Sequence, residues 1–438
     1  MKLFGGASGA RTPGSRAASV QIASPRKKRP LKALAIVLFV ILLIEICYFV
    51  CIFSRNSFIT KWRNIYISTA METMNHQWLA TAIIPESIIT DVMTAQATAK
   101  DSQVGLTSHW QKEESVGKEE LPGENVTDSE NVEMTIVEER DPEELAEEHF
   151  YELFYELDIP SFQAYLDSHP EVLSNGWQNL KINEAGLDDE GTDIKTVTGE
   201  QVLAIDYPNQ ILLLRVEGSG YQGVLAKAKD PSQLKNLPAS TINVVGQTVG
   251  EIASANNGVL AMNGSGFMDD NGGGDGGTVT GLAVCDGQRY GYSFVAKGEK
   301  RLELHEDNLF YIYDTSAPLS ENCTDAVEWH PAMVVDGQDV VGAGWDGLQP
   351  RACIGQSDKY EILMLVIEGR QPLRSIGITL YDCVDILLAH GCMQAINLDG
   401  GTSAMMWYDG EPIISCSNSA LVSVGGRNLP TAWVYGSK

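Results

Sequence analysis

Apolar residues in the C-terminal third of the chain follow two different periods, which predict a strand, a helix and a second strand. Residues 361–367 are almost continuously apolar and too few for a helix, which is typical of a strand buried on both faces. Thr379 is then a helix cap with an acid in the first turn, and apolar positions recur at helical spacing: Leu380, Cys383, Val384, Leu387 and Leu388. Gly391 is a good helix stop, so residues 393–396 should form the next strand.

The segment after this second strand combines an amide, a carboxylate, two glycines and two hydroxyls: Asn397-Leu398-Asp399-Gly400-Gly401-Thr402-Ser403. Glycine permits a positive φ and lets a ligand approach the main chain closely. Strand, helix and strand predict a parallel, right-handed crossover. Asn397 and Asp399 should therefore lie just past the carboxyl end of a strand, where open α/β sheets place their ligands.

The middle of the chain alternates short apolar runs with turn residues. Residues 202–216 predict two strands around a Tyr-Pro-Asn turn, and residues 282–294 and 302–313 predict two hairpins. A short helix is expected over residues 248–255, followed by a strand over residues 258–262. We therefore predict an α+β fold with a mixed β-sheet and a βαβ unit near the C-terminus, preceded by one transmembrane helix.

A single apolar run, residues 33–53, is long enough to cross a bilayer, because about 21 residues at about 1.5 Å each span roughly 30 Å. Residues 1–32 form a basic tail, which predicts a cytoplasmic N-terminus and an extracellular C-terminal domain in a single-pass protein of the cell membrane. A cleaved signal peptide is the alternative. The run is long for the apolar part of a signal peptide, and no clear small-residue cleavage site follows it.

The pattern beyond residue 53 divides the rest of the chain into four segments. Residues 54–93 have apolar positions at helical intervals and predict a juxtamembrane helical segment, packed on the body of the protein or on a second copy. Residues 94–140 lose this periodicity and accumulate glutamate, which predicts a solvated acidic linker. Residues 141–198 predict a helical accessory segment, and residues 199–438 the main domain.

Composition and motifs argue against several classes of function. The formal net charge is −27 although residues 1–32 hold eight Lys or Arg residues and no acid, so the acidic body would repel nucleic acid. Gly218 and Gly220 lack the spacing of a dinucleotide site. No Cys-x-x-Cys motif and no Gly-x-Ser-x-Gly elbow occur, so we expect no metal, no cofactor and no Ser-His-Asp hydrolase. Six cysteines in the body permit disulfides without giving their pairing.

Several short motifs recur in order along residues 199–438: Asn263-Gly264 with Phe267, residues 331–337, residues 350–355, Glu368-Gly369-Arg370, residues 397–403, and Arg427 before Pro430. In this order they resemble the phosphodiester glycosidase family. The Asn-Leu-Asp-Gly-Gly motif is the specific one, and the other pieces are individually weak. Residues 69–71 and 76–80 also resemble the segment that follows the membrane anchor in bacterial members.

The resemblance implies a hydrolase that cleaves a sugar from a phosphodiester at the anomeric carbon, in a cell-surface or secreted glycan. Such a site needs planar donors for phosphate and a carboxylate near the anomeric centre. We therefore expect Arg351 and Arg427 to hold the phosphodiester and Asp399 to act as base or nucleophile. Asn263 and Asn397 are expected to bind sugar hydroxyls or to orient Asp399. The remaining residues expected at the substrate are Gly264, Gly400, Gly401, Thr402 and Ser403.

The sequence leaves alternatives open. Gly426 stands where an acid often precedes the arginine in the family, which favours a glycan-binding or exopolysaccharide-assembly protein that has kept the fold without turnover. Asp269, Asp270 and Asp275 lie in a loop rich in oxygen ligands, which suits calcium or a metal-dependent phosphodiesterase. The Asn397–Ser403 segment is also compatible with a tight turn in which Asp399 bonds only its own backbone.

Overall fold

The computed structural model describes residues 29–74, 76–111, 141–188, 190–269 and 273–436, and the described residues form two units that divide between Thr60 and Lys61. The α-helices of this part of the chain are α1 Arg29–Phe53, α2 Ser57–Met71, α3 Trp78–Thr81, α4 Glu86–Ser102, α5 Pro142–Leu153, α6 Ile159–Ser168, α7 Val249–Ala255 and α8 Leu380–Ala389.

The first unit contains α1, whose 22 residues Lys32–Phe53 include an 18-residue window with a mean hydropathy of 3.1. By length and composition this helix can cross a membrane or act as a signal anchor. Most of the predicted basic tail, residues 1–28, lies outside the described residues.

The second unit contains three β-sheets. The largest has the order β1-β2-β3-β4-β15-β14-β16-β12-β13, the second β10-β9-β11-β7-β8, and the third β18-β17-β6-β19-β5. Their strands are β1 Lys181–Asn183, β2 Val202–Asp206, β3 Ile211–Gly218, β4 Tyr221–Ala228, β5 Leu234–Pro238, β6 Leu260–Asn263, β7 Leu282–Cys285, β8 Gln288–Gly291, β9 Lys300–His305, β10 Phe310–Asp314, β11 Cys323–Trp329, β12 Ala332–Val335, β13 Gln338–Asp339, β14 Arg351–Ser357, β15 Ile362–Ile367, β16 Cys392–Asn397, β17 Met406–Tyr408, β18 Glu411–Pro412 and β19 Thr431–Tyr435.

The nine-stranded sheet is covered on both faces, which explains the unbroken apolar run of β15. Alternate residues of β15 point to opposite faces of the sheet. Ile362, Met364 and Val366 join one buried cluster together with residues of the other two sheets. Leu363, Leu365 and Ile367 join a second cluster together with α8 and the aromatic side chains of α5 and α6. The predicted α+β class is confirmed.

The predicted strand–helix–strand unit is present as β15, α8 and β16, with Thr379 accepting the backbone N–H of Asp382 at the start of α8. β14 lies between the two strands and is antiparallel to each. β15 and β16 therefore run in the same direction without pairing. The sequence predicts a mixed sheet. The pairs between the described strands are instead antiparallel, because β14 lies between β15 and β16 and pairs with both.

Within the second unit, the N-terminal segment packs on the sheets further along the chain than its composition predicts. The acidic linker is expected from residue 94, yet α4 continues to Ser102 and Gln103 is buried. The Gln103 amide donates to the carbonyls of Ala332 (2.8 Å) and Val340 (2.7 Å), and its oxygen accepts the N–H of Ala332. Residues 112–140, the acidic core of the expected linker, lie outside the described residues.

Local predictions elsewhere agree with the structure. The two predicted hairpins are β7 with β8 and β9 with β10. Helix α7 begins with a capping box, in which Thr248 and Glu251 satisfy each other's backbone N–H groups. All eight cysteines are free thiols, so the disulfides that the sequence permits are not formed in this structure.

Candidate active site

Four segments of the nine-stranded sheet meet at the same end of neighbouring strands, because these strands alternate in direction. Arg351 opens β14 opposite Ile367, the last residue of β15, so Arg370 follows β15 at the same end. Asn397 closes β16 opposite Cys353, and Asp399 follows it. β12 starts opposite the end of β16, and this places His330 at this end as well. Asp399 lies past the end of a strand, as the sequence predicts, whereas Asn397 is the last residue of that strand.

The third sheet brings a second set of residues to the same place. β6 ends at Asn263, opposite Ala432, the second residue of β19. The Asn263 amide donates to the backbone carbonyl of Asp399 at 2.9 Å, which ties the two sheets together. Arg427 precedes β19, and Asp269 lies in the loop after β6; their side chains form an ion pair at 2.9 Å.

These segments surround a cavity of about 1420 Å³. Its walls include Asp399, the three guanidinium groups of Arg351, Arg370 and Arg427, and the aromatic residues Phe267, Trp329 and Trp345. One further wall comes from the N-terminal part of the second unit, through Glu72, Thr73, His76, Gln96 and Lys100. Asp399 and Arg351 thus face the same hollow, as the sequence predicts.

Asp399 is a partly exposed carboxylate in an environment that opposes its ionisation. Removal from water raises its pKa above the ordinary aspartate value. A hydrogen bond from Ser403 and the positive charges of Arg427 and Arg370 act in the opposite direction, while the charge of Asp269 adds to the increase. A carboxylate held in this way is suited to taking up a proton during a reaction.

Two of the three guanidinium groups already have carboxylate partners. Arg351 donates to Glu72 at 2.8 Å and to the carbonyl of Gly347 at 3.0 Å. Arg427 pairs with Asp269, and its guanidinium carbon lies 4.3 Å from the centre of the Phe267 ring. An anion entering the cavity would have to compete with these carboxylates for both arginines.

Arg370 differs, because no carboxylate in the described part of the chain lies within ion-pair distance of it. Its Nε and one terminal nitrogen both donate to Gln349 Oε1, at 3.1 and 2.7 Å. Burial lowers the pKa of Arg370, and the nearby charge of Arg351 lowers it further. Gly401, with φ of +60°, makes room for this guanidinium, since a Cβ there would lie 2.9 Å from an Arg370 nitrogen. Of the three guanidinium groups on the wall, Arg370 is therefore the one without a carboxylate partner among the described residues.

The sequence of this region matches a known family. Residues 256–435, which contain the cavity residues Asp269, Arg351, Arg370, Asp399 and Arg427, match the family model of phosphodiester glycosidases. This match supports the family resemblance that the sequence motifs indicate, and with it a hydrolytic, glycosidase-like function.

Individual relatives are distant. An uncharacterised SPbeta prophage-derived protein of Bacillus subtilis is 28% identical over 188 residues, which cover 39% of this chain and 28% of that protein. The catalytic domain of zebrafish N-acetylglucosamine-1-phosphodiester alpha-N-acetylglucosaminidase, auto-inhibited by its pro-peptide, is 16% identical with a TM-score of 0.44, over 52% of this chain and 82% of that domain. A putative exported protein of Burkholderia pseudomallei is 13% identical with a TM-score of 0.37, over 49% of this chain and 74% of that protein.

The predicted site residues divide into those that line the cavity and those that support it. Asn397 lines the cavity and donates to the carbonyl of His330 at 2.8 Å. Asn263 is fully buried and donates to the Asp399 carbonyl, so we propose that it positions Asp399 and does not contact the sugar. Gly264 is not on the cavity wall, and a Cβ there would lie 2.3 Å from Thr431 Oγ1. We therefore assign Gly264 to packing between β6 and β19.

The turn after β16 contributes side chains more than backbone donors. Gly400, Gly401, Thr402 and Ser403 all line the cavity. The N–H of Gly401, expected to assist with the anion, donates instead to the carbonyl of Pro350 at 2.9 Å. The hydroxyls of Thr402 and Ser403 remain as hydrogen-bonding groups beside Asp399.

The acid expected before Arg427 cannot occupy position 426 in this backbone. Gly426 has φ of +109°, and a Cβ there would lie 2.9 Å from Met405 Cγ. Asp269 supplies a carboxylate to Arg427 from a different loop. This pairing, and the acceptance of the Gly274 N–H by Asp269, uses both oxygens of a residue considered for calcium. Asp270 lies outside the described residues, and within the described ones no cluster of metal-binding side chains occurs.

Reasoning from the sequence missed the contribution of the N-terminal segment. Thr69 and Thr73 hold Gln349 through its amide nitrogen, at 2.9 and 3.2 Å, and Gln349 in turn orients Arg370. Glu72 reaches Arg351 across 279 positions of the chain. The resemblance of residues 69–71 and 76–80 to other family members was a sequence signal that this segment matters. Only the fold shows that the segment faces the site. A fragment that begins at residue 141 would lack this wall.

We expect Glu72→Gln to weaken the fold and to strengthen anion binding. The change removes a buried charge next to Arg351 while keeping the shape, and a charged hydrogen bond of this kind contributes about 1–3 kcal/mol. The thermal midpoint should fall, and added inorganic phosphate should raise it by more than in the parent, because Arg351 becomes available. Differential scanning fluorimetry measures both.

Asp91→Asn is the matched control, because Asp91 is an exposed acid on α4 away from the cavity lining. It should leave the midpoint and the phosphate response unchanged. Equal phosphate responses in the Glu72→Gln variant and the parent would show that Arg351 does not bind anions even when its partner is removed.

Proposed function

We propose that this chain is a membrane-anchored phosphodiester glycosidase that hydrolyses a sugar-1-phosphodiester in a cell-surface or secreted glycan. The observation that carries the proposal is the joint placement of Asp399 and the carboxylate-free guanidinium of Arg370 on one cavity wall. The family match of residues 256–435 supports the reaction class. The N-terminal apolar helix supports the anchor, with the basic tail inside the cell and the domain outside.

The chemistry needs few groups because a phosphate monoester is a good leaving group. Arg370 would bind the phosphodiester through its planar fork and neutralise the charge that grows as the anomeric C–O bond breaks. Asp399 would act at the anomeric carbon, as base towards water or as nucleophile. Its raised pKa keeps it ready to accept a proton. The sequence assigns Arg351 and Arg427 to the phosphate. While paired with Glu72 and Asp269, they would instead modify the electrostatic potential in the cavity.

Aromatic side chains on the cavity wall suit a sugar. Phe267 and Trp329 add apolar surface for the faces of sugar rings. The cavity is larger than the 300–1,000 Å³ typical of small-molecule sites, which favours a substrate with further residues beyond the phosphate.

The test is hydrolysis of a panel of sugar-1-phosphodiesters by the full chain in nanodiscs, in water enriched in ¹⁸O. The panel includes methyl diesters of glucose-1-phosphate and N-acetylglucosamine-1-phosphate. We expect release of a reducing sugar that carries the label at C1, because a glycosidase breaks the bond between the anomeric carbon and oxygen. Label in the phosphate product, together with loss of turnover in EDTA, would instead indicate the metal-dependent phosphodiesterase. Binding of the panel without any turnover would indicate the glycan-binding alternative.

A further inference from the structure

A histidine on the cavity wall is held by a buried carboxylate. His330 Nδ1 lies 2.6 Å from Glu299 Oε2, and the imidazole stacks on Trp329 with an interplanar angle of 9°. Glu299 is 5% exposed, whereas the His330 side chain is 30% exposed and lines the cavity. Lys100 of α4 pairs with the other oxygen of Glu299. Within the described residues, the second ring nitrogen, Nε2, makes no hydrogen bond.

The backbone ties this histidine to the segment that carries Asp399. The carbonyl of His330 accepts the side-chain amide of Asn397, two residues before Asp399. The N–H of Asn397 donates to the carbonyl of Pro331 at 3.2 Å. His330 and Asp399 therefore belong to adjoining parts of one wall, His330 from the connection between β11 and β12 and Asp399 from the turn after β16.

We propose that His330 is the proton donor to the leaving phosphate and that Glu299 positions it and supports its charged form. The inference rests on the proposed glycosidase function and adds a second catalytic residue to Asp399. It assigns the proton-donating role to an imidazole instead of the second carboxylic acid that most glycosidases use.

The step balances with the groups present. Water attacks the anomeric carbon, and Asp399 takes a proton from that water. The electron pair of the bond between the anomeric carbon and oxygen moves to the phosphate oxygen, which receives the Nε2 proton of His330. The products are the free sugar and a phosphate monoester, and the proton on Asp399 returns to the imidazole through water in the open cavity.

An imidazole matches this leaving group. A general acid works best when its pKa is near the operating pH, and a phosphate monoester itself titrates near pH 6. Glu299 is in direct contact with the imidazole, and Lys100 pairs with the other oxygen of Glu299. Burial works to raise the pKa of Glu299, but the contacts with His330 and Lys100 outweigh it, so this carboxylate is ionised.

The experiment compares His330→Gln with the parent, using full-length chain and the best diester of the panel. We expect kcat to fall about a hundredfold with little change in KM, and the loss of activity at high pH to disappear from the kcat/KM profile. Glu299→Gln should keep part of the activity and move the high-pH limb to lower pH, because the imidazolium loses its anion.

His305→Gln is the matched control. His305 is also paired with a buried carboxylate, Glu303 at 2.9 Å, but it is not on the cavity wall. Its kcat and pH profile should equal those of the parent. An unchanged kcat in His330→Gln, or a higher KM alone, would overturn the inference while leaving the proposed function standing. No turnover by the parent on any diester would overturn both.

Discussion

Replacing Asp399 with asparagine is expected to reduce kcat on a sugar-1-phosphodiester by about a hundredfold to ten-thousandfold. The amide keeps the shape of the carboxylate and can still accept the hydrogen bond from Ser403. It cannot take a proton or attack the anomeric carbon. Steady-state kinetics with the full chain measures the loss, and KM should change little because Arg370 and Asn397 remain in place.

The same variant should be at least as stable as the parent near neutral pH. Burial raises the pKa of Asp399, so the folded chain binds more protons than the unfolded chain between the ordinary aspartate pKa and the raised value. The stability of the parent therefore falls as pH rises through this window, and the penalty is fully present above it. Asp399→Asn should lack this dependence, which thermal melts at several pH values would show.

Asp275→Asn is the control that separates the two hydrolytic alternatives. Asp275 also lines the cavity, but its oxygen accepts the N–H of Gly277 at 2.9 Å, a bond that asparagine can keep. A glycosidase centred on Asp399 should tolerate this change, whereas a metal site in the loop should not. Full activity of Asp399→Asn would refute the role of the carboxylate, and loss of activity in Asp275→Asn would favour the metal site.

The sequence predicts well those parts of the fold whose signals are local. The run of β15, the cap of α8 at Thr379 and the capping box of α7 each depend on residues within one element. The turn that carries Asp399 is likewise readable from its own residues. In contrast, the pairing of β14 with β15 and β16 joins distant segments, which no local pattern shows. The strand–helix–strand pattern alone therefore predicts, wrongly, that β15 and β16 are direct parallel neighbours.

The charge state of the site could not be predicted for the same reason. The sequence alone gives no reason to expect different partners for Arg351, Arg370 and Arg427. It predicts that Arg351 and Arg427 bind the phosphate. Glu72 and Asp269 occupy those two through contacts that only the fold creates. Among the described residues, no acid lies at ion-pair distance from Arg370, because the loop after β15 directs Glu368 to Arg374 instead.

Arg370→Met is expected to reduce kcat/KM by about thirtyfold to a few thousandfold, since truncating one partner of a buried charged contact costs about 2–5 kcal/mol. Most of the change should appear in KM if the phosphate is held equally before and during bond cleavage, and in kcat if the contact strengthens as charge develops. Arg370→Lys should recover only part of the loss, because an ammonium group keeps the charge without the planar fork.

Binding of inorganic phosphate gives a readout that does not depend on turnover. A ligand that binds only the folded chain raises the thermal midpoint, and the increase grows with the logarithm of its concentration relative to its Kd. The parent should be stabilised by phosphate, and Arg370→Met should not. Without ligand, the variant should melt no lower than the parent, because it removes a buried cation whose pKa the surroundings already lower.

Arg351→Met is the contrasting variant and decides which guanidinium binds the anion. It leaves Glu72 buried without its charged partner, so the chain should lose stability by about 3–5 kcal/mol, the cost of breaking a buried ion pair. Its response to phosphate should nevertheless persist, since Arg370 is intact. The reverse pattern, a phosphate response that survives in Arg370→Met and vanishes in Arg351→Met, would mean that the anion displaces Glu72. Arg351 would then be the phosphate ligand, as the sequence alone suggests.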